Sequence, residues 1–170
     1  MFDSCVLGVD PGIASLGLAA VTRRARRPHL LWSSTLRTSS TQPEELRLRE
    51  IYEGVSDAIA RHGATAVAVE RVAWNRNVSS GMHVARATGV VLLASANAGL
   101  RIAEYGPLEV KMAITGVGNA GKRQVHDALT RAHGLSDVPS QPDAADAVAV
   151  AVCHITQARL RDEAERAVAR

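Results

Sequence analysis

Three short apolar segments follow one another near the N-terminus, and they constrain the possible folds more than any other feature of the sequence. They are Cys5 to Val9, which ends at Asp10-Pro11-Gly12, then Leu16 to Thr22 and His29 to Leu36, with a basic turn at residues 23–28 between the last two. Apolar runs of this length bounded by Gly and Pro are typical of strands. Because successive strands joined by short turns usually pair, we expect a three-stranded antiparallel meander.

The rest of the chain alternates between helix and strand patterns. The first predicted elements are a helix that starts at the capping box Thr41-Gln42-Pro43-Glu44 and ends at Gly63, and a strand over Ala66 to Val69 that ends at Glu70. A polar loop over 71–80, an apolar helix over 81–98, a strand over Arg101 to Tyr105 and a short helix from Pro107 follow. The last are a glycine-rich loop over 115–121, an amphipathic helix over Lys122 to His133 and a helix that begins at Ser140-Gln141-Pro142-Asp143. This order predicts a mixed α/β sheet of five strands, flanked by helices, in which parallel strands extend the meander by right-handed crossovers. We expect one domain over residues 1–158, followed at 159–170 by a charged helix end or a disordered tail.

Composition restricts the class of protein. The chain is 46% apolar, which is enough for a core, and no apolar run approaches the roughly 20 residues that span a bilayer. No basic segment followed by an apolar stretch opens the sequence, and Cys5 and Cys153 both fall in apolar runs, so we expect a cytoplasmic protein with reduced core cysteines. The net charge of +3 and the pI of about 9.3 are compatible with nucleic-acid binding but do not establish it.

Four acidic residues stand out because of their positions in apolar surroundings. Asp10 and Glu70 each end a predicted strand, and Asp143 and Asp146 share one face at the start of a helix rich in small apolar residues. Clustered carboxylates repel one another, and a divalent cation relieves that repulsion. Oxygen ligands suit Mg²⁺ and Mn²⁺, so the sequence predicts a site for two such ions, which can promote phosphodiester hydrolysis.

Each acid taken alone also has a structural explanation. Asp10 could simply form a turn before Pro11, Glu70 could pair with a nearby arginine, and Asp143 could stabilise a helix start. Asp146 lies deeper in an apolar helix and is harder to explain in this way. The shared arrangement of the four residues therefore carries the prediction.

Four motifs in order resemble the RuvC family of bacterial Holliday junction resolvases. They are LGVDPGIASLG at 7–17, AVERV at 68–72, GVGNAGKRQV at 116–125 and DAADAVAVA at 143–151. The resemblance implies an RNase H-like fold and a homodimer that nicks two strands of like polarity at a four-way DNA junction, leaving 5′-phosphate ends. It implies that Asp10, Glu70, Asp143 and Asp146 are the catalytic, metal-binding acids, although some relatives carry His at the position of Asp143. It also implies the RuvA–RuvB branch-migration complex as a partner.

The resemblance extends to candidate DNA-binding residues. Lys111 and Lys122 are the only lysines among 20 basic residues, and both match lysines that the family places near the scissile phosphate. The family's aromatic residue after the Glu motif corresponds to Ala73 here, and we expect the adjacent Trp74 to stack on bases instead. Packing of Trp74 within its own domain is the alternative. Arg76, Arg86 and Arg123 are further candidates for phosphate contacts.

Other functions fit the sequence less well. Residues 116–123 nearly spell a P-loop, but Arg123 stands where a Ser or Thr would hold Mg²⁺. The motif around Asp10 also resembles the phosphate loop of sugar kinases and actin-like ATPases, which need two such domains. A non-catalytic junction-binding protein would not need four acids, and a related nuclease acting on RNA remains as an alternative. The helix at 81–98 is rich in Ala and Gly, and is either a core helix or part of the dimer interface.

Overall fold

The computed structural model describes residues 4–25, 27–71 and 78–168, except for the side chains of residues 78–80 and 159–168. Within these ranges the strands are β1 (Cys5–Asp10), β2 (Ser15–Arg24), β3 (Arg27–Arg37), β4 (Ala66–Glu70) and β5 (Arg101–Tyr105). The helices are α1 (Glu44–His62), α2 (Val78–Asn97), α3 (Pro107–Thr115), α4 (Lys122–Arg131) and α5 (Pro142–Val168). No helix in the described ranges is long and apolar enough to cross a membrane.

The described strands form one mixed sheet in the order β3-β2-β1-β4-β5. β1, β2 and β3 pair antiparallel, whereas β4 is parallel to both β1 and β5. The prediction of a meander extended by parallel strands is therefore confirmed. Because β1 lies between β2 and β4, the end of β1 is at the centre of the sheet.

The predicted basic turn between β2 and β3 is wrong in extent. Arg24 pairs with Arg27, so only residues 25 and 26 lie between the strands, and Ala25 has a positive φ of 47°. The arginines do not end the strands because the hydrogen bonds of the ladder are made by the backbone and need no apolar side chain.

Two predicted helix starts also differ from the structure. Thr41 does not cap α1: the helix begins at Glu44, and the carbonyl of Pro43 accepts hydrogen bonds from the N–H groups of Leu46 (3.1 Å) and Arg47 (3.3 Å). The carboxylate of Glu44 contacts α2 instead of turning back to Thr41. α2 begins at Val78, because polar residues such as serine are acceptable in a first helical turn.

Helices cover both faces of the sheet, and successive side chains along a strand point to opposite faces. Leu7 and Val9 of β1 pack with residues of α1 and α2, whereas Val6 packs with the apolar residues of α5. Cys5 and Cys153 are free and buried, as predicted. Because side chains alternate along a strand, Asp10 projects on the α5 side of the sheet, as does Glu70, which is two residues beyond the α5-facing Ala68.

Two glycines allow α5 to lie directly on the sheet. A Cβ at Gly8 would lie 2.1 Å from the carbonyl oxygen of Ala147, and one at Gly17 would lie 1.9 Å from that of Asp143. Both distances are far shorter than any real contact of a Cβ atom, so only glycine fits at these strand positions. The start of α5 is thus fixed against β1 and β2, beside Asp10.

Candidate active site

Asp10 and Glu70 are brought together by the parallel pairing of β1 and β4. Val9 is in register with Val69, so the two acids that follow them are neighbours at the same edge of the sheet. Both are half-buried, and a hydrogen bond joins their carboxyl groups. The prediction that strand-end acids would converge is therefore confirmed for this pair.

Asp143 and Asp146 reach the same place from the first turns of α5. Asp143 lies against Gly17, which is opposite Asp10 in the β1–β2 ladder. Its carboxylate accepts a hydrogen bond from the hydroxyl of Ser15. The carboxylate of Asp146 accepts a hydrogen bond from the ammonium of Lys122 at 2.9 Å. All four predicted acids are thus near one another, on three adjacent elements.

The electrostatics of the group confirm that its charges interact. Burial, together with the neighbouring carboxylates of Glu70, Asp146 and Asp143, raises the pKa of Asp10 from its ordinary value to about 8. Burial also raises the pKa of Glu70, while the hydrogen bond from Asp10 and the charges of the two lysines act in the opposite direction. Without a cation, Asp10 therefore keeps its proton near neutral pH and donates it to Glu70.

The donor chemistry of this group fits a hard divalent cation. Four carboxylates offer only oxygen ligands, and the Asp10–Glu70 pair must otherwise share a proton. In the described part of the chain no three acidic, His or Cys side chains are arranged to hold a metal ion as they stand. The carboxylate of Asp143 is hydrogen-bonded to Ser15, and that of Asp146 to Lys122.

The two lysines flank the acids. Lys111 of α3 and Lys122 of α4 line a pocket of about 210 Å³ together with Glu70 and Asp146. Asp146 raises the pKa of Lys122 through their hydrogen bond, so the ammonium stays charged. The pocket therefore combines negative ligands with two fixed positive charges.

The remaining predicted DNA contacts have different outcomes. Trp74 and Arg76 lie outside the described residues, so their roles stay predictions. Arg123 is exposed at the start of α4, and lines a second pocket beside the acids. Arg86, also considered from the sequence, is engaged in an ion pair with Glu44.

The glycine-rich loop before α4 is not a P-loop. It joins α3 to α4, whereas a P-loop joins a strand to a helix. Gly116 ends α3 with a φ of 74°, and the N–H of Gly121 donates to the side chain of Gln124 at 2.8 Å. The loop fixes the start of α4, and so the position of Lys122.

The roles of four residues, Ser15, Gly8, Gly17 and Gln124, escaped the sequence analysis. Ser15 was not predicted to hold Asp143, and nothing in the sequence places them side by side, since they are 128 residues apart. Gly8 and Gly17 did carry a signal, because glycine in the middle of a strand often marks a close approach of another backbone. Gln124 carried the weaker signal of a helix N3 position.

Comparison with known proteins shows similarity over most of the chain. The family model described as crossover junction endodeoxyribonuclease RuvC matches residues 6–154. A protein of that name from Desulforamulus reducens is 40% identical over 149 residues, covering 88% of this chain and 91% of the relative. One from Leifsonia xyli is 42% identical over 150 residues, covering 88% of this chain and 72% of the relative.

Solved structures agree. T. thermophilus RuvC in complex with a Holliday junction substrate superimposes with a TM-score of 0.86 and 35% identity, covering 92% of this chain and 96% of that one. The yeast mitochondrial Holliday junction resolvase Ydc2, at 14% identity, 92% coverage of this chain, 82% of that one and a TM-score of 0.68, shares the fold. The sheet is thus the RNase H-like fold expected from the sequence. The chain belongs to the RuvC family of crossover junction endodeoxyribonucleases.

Proposed function

We propose that this chain is a structure-selective endonuclease that resolves four-way DNA junctions by paired symmetric nicks. The observation that carries the proposal is the meeting of Asp10, Glu70 and Asp146 with Lys122 at one edge of the sheet. Family membership supports the junction as substrate, since a relative of 35% identity is described in complex with one.

The proposed cofactors are two Mg²⁺ or Mn²⁺ ions, held by Asp10, Glu70, Asp143 and Asp146. When bound, such ions activate water and stabilise the developing charge on the departing 3′ oxygen, which leaves a 5′-phosphate on the other product. Ser15 keeps Asp143 oriented through its hydroxyl. Gly8 and Gly17 keep the start of α5 close enough for its two acids to act with Asp10.

Lys111 and Lys122 are proposed to contact the scissile phosphate. Both border the pocket that contains Glu70 and Asp146, so a phosphate there would meet their ammonium groups. A compact ammonium can approach one oxygen atom where a planar guanidinium would crowd the site. Trp74 is proposed to stack on bases at the junction centre, with Arg76 and Arg123 as phosphate contacts.

A homodimer is proposed through α2. Apolar Met82 and Leu93 are 49% and 55% exposed, and Gly89 lies on the same face. A spacing of seven and then four residues aligns these positions in one stripe along the helix. Pairing two such stripes about a two-fold axis would bury them and provide two active sites for two nicks.

The cellular setting follows from the same proposal. A junction resolvase acts in homologous recombination and DNA repair, and we propose the cytoplasm as its compartment. The RuvA–RuvB branch-migration complex is the proposed partner.

The test compares a synthetic four-way junction with a linear duplex of the same sequence. With Mg²⁺ or Mn²⁺ we expect nicks at matching positions on two strands of like polarity, with 5′-phosphate ends, and none with EDTA. Duplex nicking at a similar rate would contradict junction selectivity. Faster cleavage of a junction with RNA arms would favour the alternative of a nuclease acting on RNA.

A further inference from the structure

A second pocket adjoins the acidic site, between α4 and the start of α5. It has a volume of about 240 Å³ and shares Lys122 and Asp146 with the pocket that holds Glu70. A DNA strand whose phosphate contacts Lys122 therefore has an adjacent nucleotide within reach of this second pocket. The size is below that of pockets for drug-sized ligands, so it suits one small ring system.

The lining is unlike that of a phosphate site. Its lining includes the apolar Leu129, which is 1% exposed, together with Pro139 and Pro142. Arg123 and His126 stand at the mouth, and both are exposed. A phosphate would leave these apolar side chains uncovered, whereas a base would cover them with its faces and leave its polar edge towards Arg123 and His126.

The planar groups at the mouth match a nucleobase. Guanidinium and imidazole groups stack on bases and donate hydrogen bonds to their edges. The hydroxyl of Ser140, also in the lining, can donate or accept a further hydrogen bond. Each base presents a different pattern of hydrogen-bond donors and acceptors to these groups, so they can discriminate between bases.

We propose that this pocket receives the base of the nucleotide next to the scissile phosphate. His126 and Arg123, the latter in addition to its proposed phosphate contact, set the sequence preference of cleavage. The inference rests on the proposed function, because it takes the scissile phosphate to lie at Lys122. Bases at the centre of a four-way junction have lost part of their stacking. Extrusion of one base there costs less than in a continuous duplex.

The experiment uses a set of four-way junctions that differ only in the base pairs flanking the cleavage point. Single-turnover rates are measured for the wild-type chain, Arg123→Ala, His126→Ala and the control Arg131→Ala. Arg131 is exposed on the same helix but does not line the pocket. We expect the rate ratio between the best and worst flanking bases to fall about fivefold in the first two variants and to be unchanged in the control.

A second measurement changes the DNA and keeps the same proteins. An abasic nucleotide at the flanking position should slow wild-type cleavage, and should slow Arg123→Ala less. Equal slowing of all junctions by Arg123→Ala would mean a phosphate contact alone, and would overturn the inference. An abasic site that does not slow wild-type cleavage would also overturn the inference. If the wild-type chain cleaves no junction, the proposed function fails as well; preferences retained in both variants overturn only the pocket.

Discussion

From the close contact between Gly17 and the start of α5 we predict how much a larger side chain at position 17 lowers stability and cleavage rate. In Gly17→Ala the new Cβ would lie 1.9 Å from the carbonyl oxygen of Asp143, and contacts under 3.0 Å are essentially never seen, so the two groups must separate by at least about 1.1 Å. Overpacking of this kind costs about 1–3 kcal/mol of folding free energy. Displacement of a catalytic group by about 1 Å costs about 100-fold in rate.

Two assays measure these effects. Denaturant unfolding gives the loss of stability, and single-turnover cleavage of a saturating four-way junction gives the loss of rate. The matched control is Gly54→Ala in α1, whose new Cβ would meet only the end of the flexible Leu36 side chain. We expect the control to cleave at the wild-type rate. If Gly17→Ala also unfolds and cleaves like the wild type, the close-packed start of α5 does not position the acids.

Three further predictions follow from the charges and exposed surfaces. Because the pKa of Asp10 in the folded protein is raised from 3.8 to about 8, the metal-free protein should lose stability as the pH rises between these values. Asp10→Asn should remove this loss and stabilise the metal-free protein at pH 8 by about 1–3 kcal/mol, as measured by thermal unfolding with Asp127→Asn as the control. A less stable Asp10→Asn would contradict the prediction. The Lys122 side chain is 74% exposed, so Lys122→Met should change the free energy of unfolding by less than about 1 kcal/mol but strongly slow cleavage. Lys111→Arg and Lys122→Arg should also cleave slowly. Wild-type cleavage rates in both arginine variants would show that charge alone suffices. Leu93→Arg should convert a dimer to a monomer in sedimentation experiments, and a dimer that persists would exclude the α2 interface.

The sequence was sufficient for the parts of the fold that depend on local patterns. Apolar runs ending at Asp10 and Glu70 identified two strands, and the helical spacing of Asp143 and Asp146 put these acids on one face. Residue propensities located the ends of helices and strands less accurately. The turn between β2 and β3 is shorter than the arginines indicated, and α1 starts at Glu44 without help from Thr41. In both places a tertiary contact or the backbone ladder overrode the local preference.

The site divides in the same way. The acids could be predicted because strand ends and small-residue helices leave a sequence pattern, and because they match a family. The Ser15–Asp143 hydrogen bond and the Lys122–Asp146 ion pair depend on how α5 and α4 dock, which no local pattern encodes. The second pocket arises from the same docking, so it too was invisible in the sequence.

The most direct test of the account compares the wild-type chain with Asp146→Asn on one four-way junction. Binding is measured in Ca²⁺, and single-turnover cleavage in Mg²⁺ or Mn²⁺. We predict that Asp146→Asn binds the junction at least as tightly as the wild type, since it removes a negative charge, but gives no paired nicks. Cleavage that survives Asp146→Asn would contradict the four-carboxylate site.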